Sequence, residues 1–146
     1  MVPDHGRVAP LLRPGVRVVN QTPFPDWEVR CLVERSMRGD RRNPPKVIVH
    51  YRRSPTDDRE GFTPFDRSRP IDLWVEPASR YPEPGARTWQ MELALSAAHE
   101  DYHFRHPGQP CPHDRCEKLA EAYAQEHFRM LERRRRYAGC RVQRPA

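Results

Sequence analysis

Apolar residues recur at helical spacing in three stretches of the chain and gather in short strand-like runs in three more. From Asp26, which can cap a helix, Trp27, Val29, Leu32, Val33 and Met37 return every few positions until Gly39. This spacing predicts a first helix with one buried face. A second apolar-periodic stretch covers residues 88–104 and meets Pro107 and Gly108, and a third begins at Pro112 or His113 and reaches about Tyr137. Residues 16–20 (VRVVN) are short and β-branched, 47–52 (VIVHYR) is β-rich, and 71–75 (IDLWV) alternates apolar with polar; the last two are the candidate strands. The breaker Asn43, Pro44, Pro45, the polar stretch 54–70 and the proline-rich stretch 76–85 separate them as loops. The order predicts an α+β fold: helix one, a small sheet containing 47–52 and 71–75, then two helices packed at its open side. Residues 71–75, the last strand before the second helix, are the candidate sheet edge.

Composition narrows this picture. With 146 residues, one compact domain is expected over 16–137, with a flexible arm at 1–15 and a flexible tail at 138–146. Charged residues make up 32% and hydrophobic ones 36%, with a mean hydropathy of -0.97, so the core must be small. No apolar run approaches the roughly 18 residues of a membrane span, and the first residues carry Pro and Arg where a signal peptide needs an unbroken apolar stretch. A cytoplasmic protein without a membrane partner is expected. The net charge of +6 comes from 24 Arg against 2 Lys, a bias that GC-rich coding produces by itself. Only Arg133, Arg134, Arg135 and Arg136 form a dense run. It suits a nucleic-acid backbone, but cations at a helix C-terminus also oppose the dipole, and the second explanation is preferred. Cys31, Cys111, Cys116 and Cys140 are too irregular for a secreted disulfide scaffold. Cys31 is expected as a small core residue, Cys140 as a tail thiol, and Cys111 and Cys116 as loop thiols.

The chemistry lies in residues 99–103, His-Glu-Asp-Tyr-His, at the C-terminal end of the second helical stretch. This is an HExxH pattern. Histidines at i and i+4 leave a helix on one face, so both can bind one Zn²⁺, while Glu100 reaches a metal-bound water rather than the metal. A catalytic site of this type takes a third protein ligand. Downstream, Glu117 and Glu121 fall in line with Ala124, Phe128 and Leu131, and carboxylates on an apolar stripe need a positive partner. In that arrangement Glu117 binds the metal and Glu121 holds the free ring nitrogen of a ligand histidine. His106 and His113 are alternative third ligands.

HExxH followed by a helix bearing Glu117 and Glu121 in an ExxAE pattern resembles the gluzincin type of zinc metallopeptidase, including small intracellular peptidases of bacteria and phage. The resemblance covers roughly residues 88–131. It implies a minimal zincin-like fold, zinc bound by His99, His103 and Glu117, and Glu100 as general base in peptide hydrolysis. The later acidic residue of the family is usually Asp, one methylene shorter than Glu121. The gap from His103 to Glu117 is short for the group, which Pro107, Gly108 and Pro110 suit by turning tightly. The metzincin pattern fails, because His106 stands at its glycine position and Gln109 at its last histidine. SprT-like proteases, with a histidine as third ligand, are the nearer competitor. The rivals from another class are a nucleic-acid-binding or interaction protein with a non-catalytic zinc site. Tyr102, His106, His113, Tyr123 and His127 are the candidates for stabilising an oxyanion.

Overall fold

Val47, Val49, Ile71, Leu73 and Val75 are almost completely buried and alternate with partly exposed neighbours, which is how one face of a sheet meets a core while the other faces outward. The computed structural model describes residues 14–51, 61–64, 66–76, 88–107, 113–133 and 140. Within them the order is β1 (Arg17–Gln21), α1 (Asp26–Ser36), β2 (Lys46–Tyr51), β3 (Gly61–Phe62), β4 (Ile71–Val75), α2 (Trp89–Arg105) and α3 (His113–Arg133). The class is α+β with a small mixed sheet. Its strands are arranged β1-β2-β4-β3, with β1 parallel to β2, β2 parallel to β4, and β3 antiparallel to β4. Register pairs Val18 with Val47 and Val49 with Leu73, so the buried positions of three strands share one face.

That face packs on α1 and α2. Val29, Leu32 and Val33 of α1, and Leu93, Ala94, Ala97 and Ala98 of α2, complete the core with no exposed area. Helix α2 touches α1, α3, β3 and β4, which explains why its middle reads Leu-Ala-Leu-Ser-Ala-Ala: small side chains let neighbours close in from every side. Thr88 caps it, its hydroxyl accepting the Met91 N–H at 3.3 Å.

Three expectations about these elements are corrected. Residues 71–75 are not an edge, since β4 lies between β2 and β3. The edges are β1 and β3, and the two residues of β3 are too short to show any alternation within the polar stretch 54–70. Helix α1 starts after Pro25, with Asp26 inside its first turn and paired with Arg30 at 2.6 Å rather than capping, and it ends at Ser36, short of Gly39. Gly39 instead takes a left-handed conformation, φ 55°, from which its N–H reaches the Asp101 carboxylate at 2.9 Å.

The cysteines are also corrected. Cys31 is no free core residue and Cys140 no tail thiol: the two form a disulfide that ties residue 140 to α1 across a separation of 109 residues. Cys116 is disulfide-bonded as well. The expected arm at 1–15 and tail at 138–146 lie largely outside the described residues, as do Cys111 and Arg134, Arg135 and Arg136. Among the described residues, no helix is long and apolar enough to cross a membrane. Closing so long a loop restricts the unfolded chain strongly. Cys140→Ser is therefore expected to lower unfolding stability by about 2–4 kcal/mol, read from urea denaturation without reductant. An unchanged midpoint would show that the bond does not constrain the fold.

Candidate metal centre

His99 and His103 lie one turn apart on α2, and Glu117 and Glu121 one turn apart on α3. Helix α3 is held against α2 by Ala120, Ala124 and Phe128, all buried and spaced at i, i+4, i+8. Two alanines in that stripe allow a close helix approach, and the approach sets one pair of imidazoles opposite one pair of carboxylates.

The groups converge. His99 Nε2 lies 3.0 Å from Glu117 Oε2, and His103 Nε2 lies 2.9 Å from Glu117 Oε1. The two Nε2 atoms are 3.3 Å apart. Ligand atoms about 2.0–2.1 Å from a tetrahedral ion stand roughly 3.3–3.4 Å from each other, so the imidazole pair already has the spacing of two ligands of one metal. His99, His103 and Glu117 each offer a ligand atom within 4.8 Å of the others.

Proton bookkeeping points the same way. His99 Nδ1 faces Glu121 Oε2 at 3.2 Å, and an ionised carboxylate only accepts, so Nδ1 carries the ring proton. In a neutral ring, Nε2 then aims a lone pair at a Glu117 oxygen. Two lone pairs face each other unless a positive charge lies between them, either a second ring proton or a cation. Glu121 thus occupies the position of a group that fixes the tautomer of a metal-binding histidine. The cluster is half-buried throughout, its histidines somewhat more enclosed than its carboxylate: the His99 side chain is 16% exposed, that of Glu117 41%.

Glu100 follows His99 and meets the segment around β3. It is buried, and its Oε1 accepts a hydrogen bond from the Thr63 hydroxyl at 2.6 Å, just beyond β3. His106 is drawn away from the cluster. It ends α2, its Nδ1 lies 2.8 Å from the Tyr102 carbonyl, and its ring stacks on Tyr102 at 4.1 Å. The His113 side chain lies outside the described residues. Tyr123 accepts a hydrogen bond from Arg105 at 2.6 Å; burial pushes its phenol pKa up, helped by the Asp101 charge and countered by Arg105. His127 is buried and stacks on Tyr123 at 5.3 Å.

Sequence reasoning passed over the middle of the motif. Asp101 is completely buried and accepts from Gly39 N–H at 2.9 Å and from Arg105 Nε at 3.0 Å. Arg105 continues to Tyr123 on α3, so one carboxylate links α2 to the segment after α1 and, through Arg105, to α3. The i, i+4 spacing of Asp101 and Arg105 was visible, but such pairs are usually exposed and weak; the burial was not visible. Arg67 was also missed. Its guanidinium donates to the Phe104 carbonyl at 2.7 Å and covers the Phe104 ring at 4.4 Å, satisfying a carbonyl at the end of α2.

Removing the Asp101 carboxylate leaves two donors without their acceptor. Asp101→Ala is expected to lower stability by about 2–4 kcal/mol in urea denaturation; a loss below about 0.5 kcal/mol would mean that the network does not brace the site. Comparison of the chain with protein-family models, with curated proteins and with solved structures finds no match.

Proposed function

We propose that the protein is a zinc-dependent metallopeptidase on a minimal zincin-like fold, acting on a protein or peptide substrate. One observation carries this reading: two imidazole nitrogens 3.3 Å apart and a shared carboxylate converge. His99, His103 and Glu117 would hold the ion, and Glu121 would hold His99 in the tautomer that leaves Nε2 free to bind. Zinc supplies a lowered water pKa and a polarised carbonyl when bound.

The remaining chemistry belongs to the chain. Glu100, adjacent in sequence to one ligand, would take the proton of the attacking water and pass it to the leaving amine. A purely structural metal site has no use for such a base. An extended peptide can add to an exposed sheet edge; of the two edges, β1 and β3, it is β3 that meets Glu100, and it replaces residues 71–75 as the proposed docking edge. Disulfides persist in oxidising surroundings, so the Cys31–Cys140 bond weighs against the cytoplasmic location expected from the sequence.

Purified protein is expected to bind about one zinc per chain, and His99→Ala, His103→Ala and Glu117→Ala each to lose it, measured by elemental analysis. Glu121→Ala is expected to keep the site but weaken zinc affinity about 10–100-fold. Zinc retained at full stoichiometry by all three ligand variants would dismiss the site. Glu100→Gln is expected to keep zinc and fold while casein cleavage falls at least about 100-fold. Equal cleavage by wild type and variant would remove Glu100 from the chemistry.

A further inference from the structure

The polar segment around β3 carries a feature that the metallopeptidase reading does not use. Gly61 and Thr63 come from a part of the chain remote from the HExxH helix, yet both meet the Glu100 side chain. The Thr63 hydroxyl lies 2.6 Å from Glu100 Oε1 and 3.2 Å from the Glu100 backbone carbonyl. One hydrogen serves these two acceptors, and the shorter contact goes to the carboxylate. From the other side, a Cβ placed on Gly61 would stand 2.7 Å from Glu100 Cγ and 2.8 Å from Oε2. Real Cβ atoms do not approach other atoms so closely, so the glutamate occupies the volume a side chain at 61 would need. Gly61 pairs with Leu73 of β4, and this pairing fixes the distance between strand backbone and carboxylate.

We infer that the β3 segment is the positioning element of the general base: Thr63 holds Glu100 Oε1 by a hydrogen bond, and the missing side chain at Gly61 gives the carboxylate its seat against the strand. This rests on Glu100 being the base. A glutamate has three rotatable side-chain bonds, and a free one would sample orientations in which neither oxygen meets the attacking water. Thr63 anchors Oε1 while Oε2 lies against Gly61, so the β3 segment places both oxygens of the carboxylate. Both residues meet Glu100 and would act on the reaction through it. The strand edge proposed to receive a peptide would then also set the base beside it, linking substrate register to the orientation of the carboxylate.

The test uses full-length, zinc-loaded protein with fluorescein-labelled casein as probe, comparing Thr63→Val, Thr63→Ser and Gly61→Ala. Thr63→Val keeps the shape and removes the donor. It is expected to lower kcat about 10–100-fold with KM and zinc content unchanged, and Thr63→Ser to restore most of the loss. Gly61→Ala is expected to lower kcat similarly, by pushing the carboxylate off its seat. A readout independent of turnover is a double-mutant cycle in urea on metal-free protein: Thr63→Val should shift the midpoint of the wild type more than that of Glu100→Ala, where the hydroxyl keeps only the backbone carbonyl as acceptor. If Thr63→Val cleaves casein at the wild-type rate while Glu100→Gln is inactive, the positioning role is wrong and the metallopeptidase reading stands. Equal losses in Thr63→Val and Thr63→Ser, with reduced zinc content, would assign Thr63 a structural role and overturn the inference. If Glu100→Gln is fully active or the wild type cleaves nothing, both readings fall.

Discussion

Two imidazole nitrogens aimed at the same carboxylate, 3.3 Å from each other, make an arrangement that a folded chain does not hold without reason. Each ring loses hydration, and with the His99 proton directed to Glu121, a lone pair of His99 faces an anionic oxygen. A second ring proton or a cation relieves that conflict, and under the proposed function it is a dication. The rest of the fold can be understood as what keeps these groups together. Helix α2 is enclosed by sheet and helices through its alanine-rich middle, α3 docks on it through Ala120, Ala124 and Phe128, and Asp101 braces it from within. Thr88 closes one end of α2, and Arg67 satisfies a carbonyl at the other.

How much of this was legible in the sequence depended on the range of each interaction. The His99 and His103 pairing follows from helical periodicity alone, because i and i+4 must share a face. Glu117 and Glu121 were legible for a related reason: carboxylates in line with Ala124 and Phe128 announce a need for positive charge. Strand β2 was legible from its β-branched residues and β4 from alternation. Strand β3 was not, since Gly61 and Phe62 are too few to carry a period, and the edge was placed on 71–75 instead. The disulfide between Cys31 and Cys140 escaped because nothing local connects residues 109 apart. Asp101 escaped because sequence shows its spacing from Arg105 but not the Gly39 N–H that meets it from another element.

The two acidic residues of the motif are divided by environment. Asp101 turns inward, where backbone and guanidinium donors meet it, and serves the fold. Glu100 turns toward the sheet edge, where Thr63 meets it, and under the proposed function serves the reaction. The side of the cluster formed by Glu117 is the more open to solvent, which suits a site that must admit water and a peptide. A closed four-ligand structural site would have no such opening.

The central claim is that His99, His103 and Glu117 bind one ion and leave room for solvent. Diffraction from zinc-soaked crystals, with anomalous maps on either side of the zinc absorption edge, tests it most directly. The account expects a single peak about 2.0–2.2 Å from both Nε2 atoms and from a Glu117 oxygen, with a water completing the shell. A peak bound elsewhere, or a filled shell with no place for water, would contradict it.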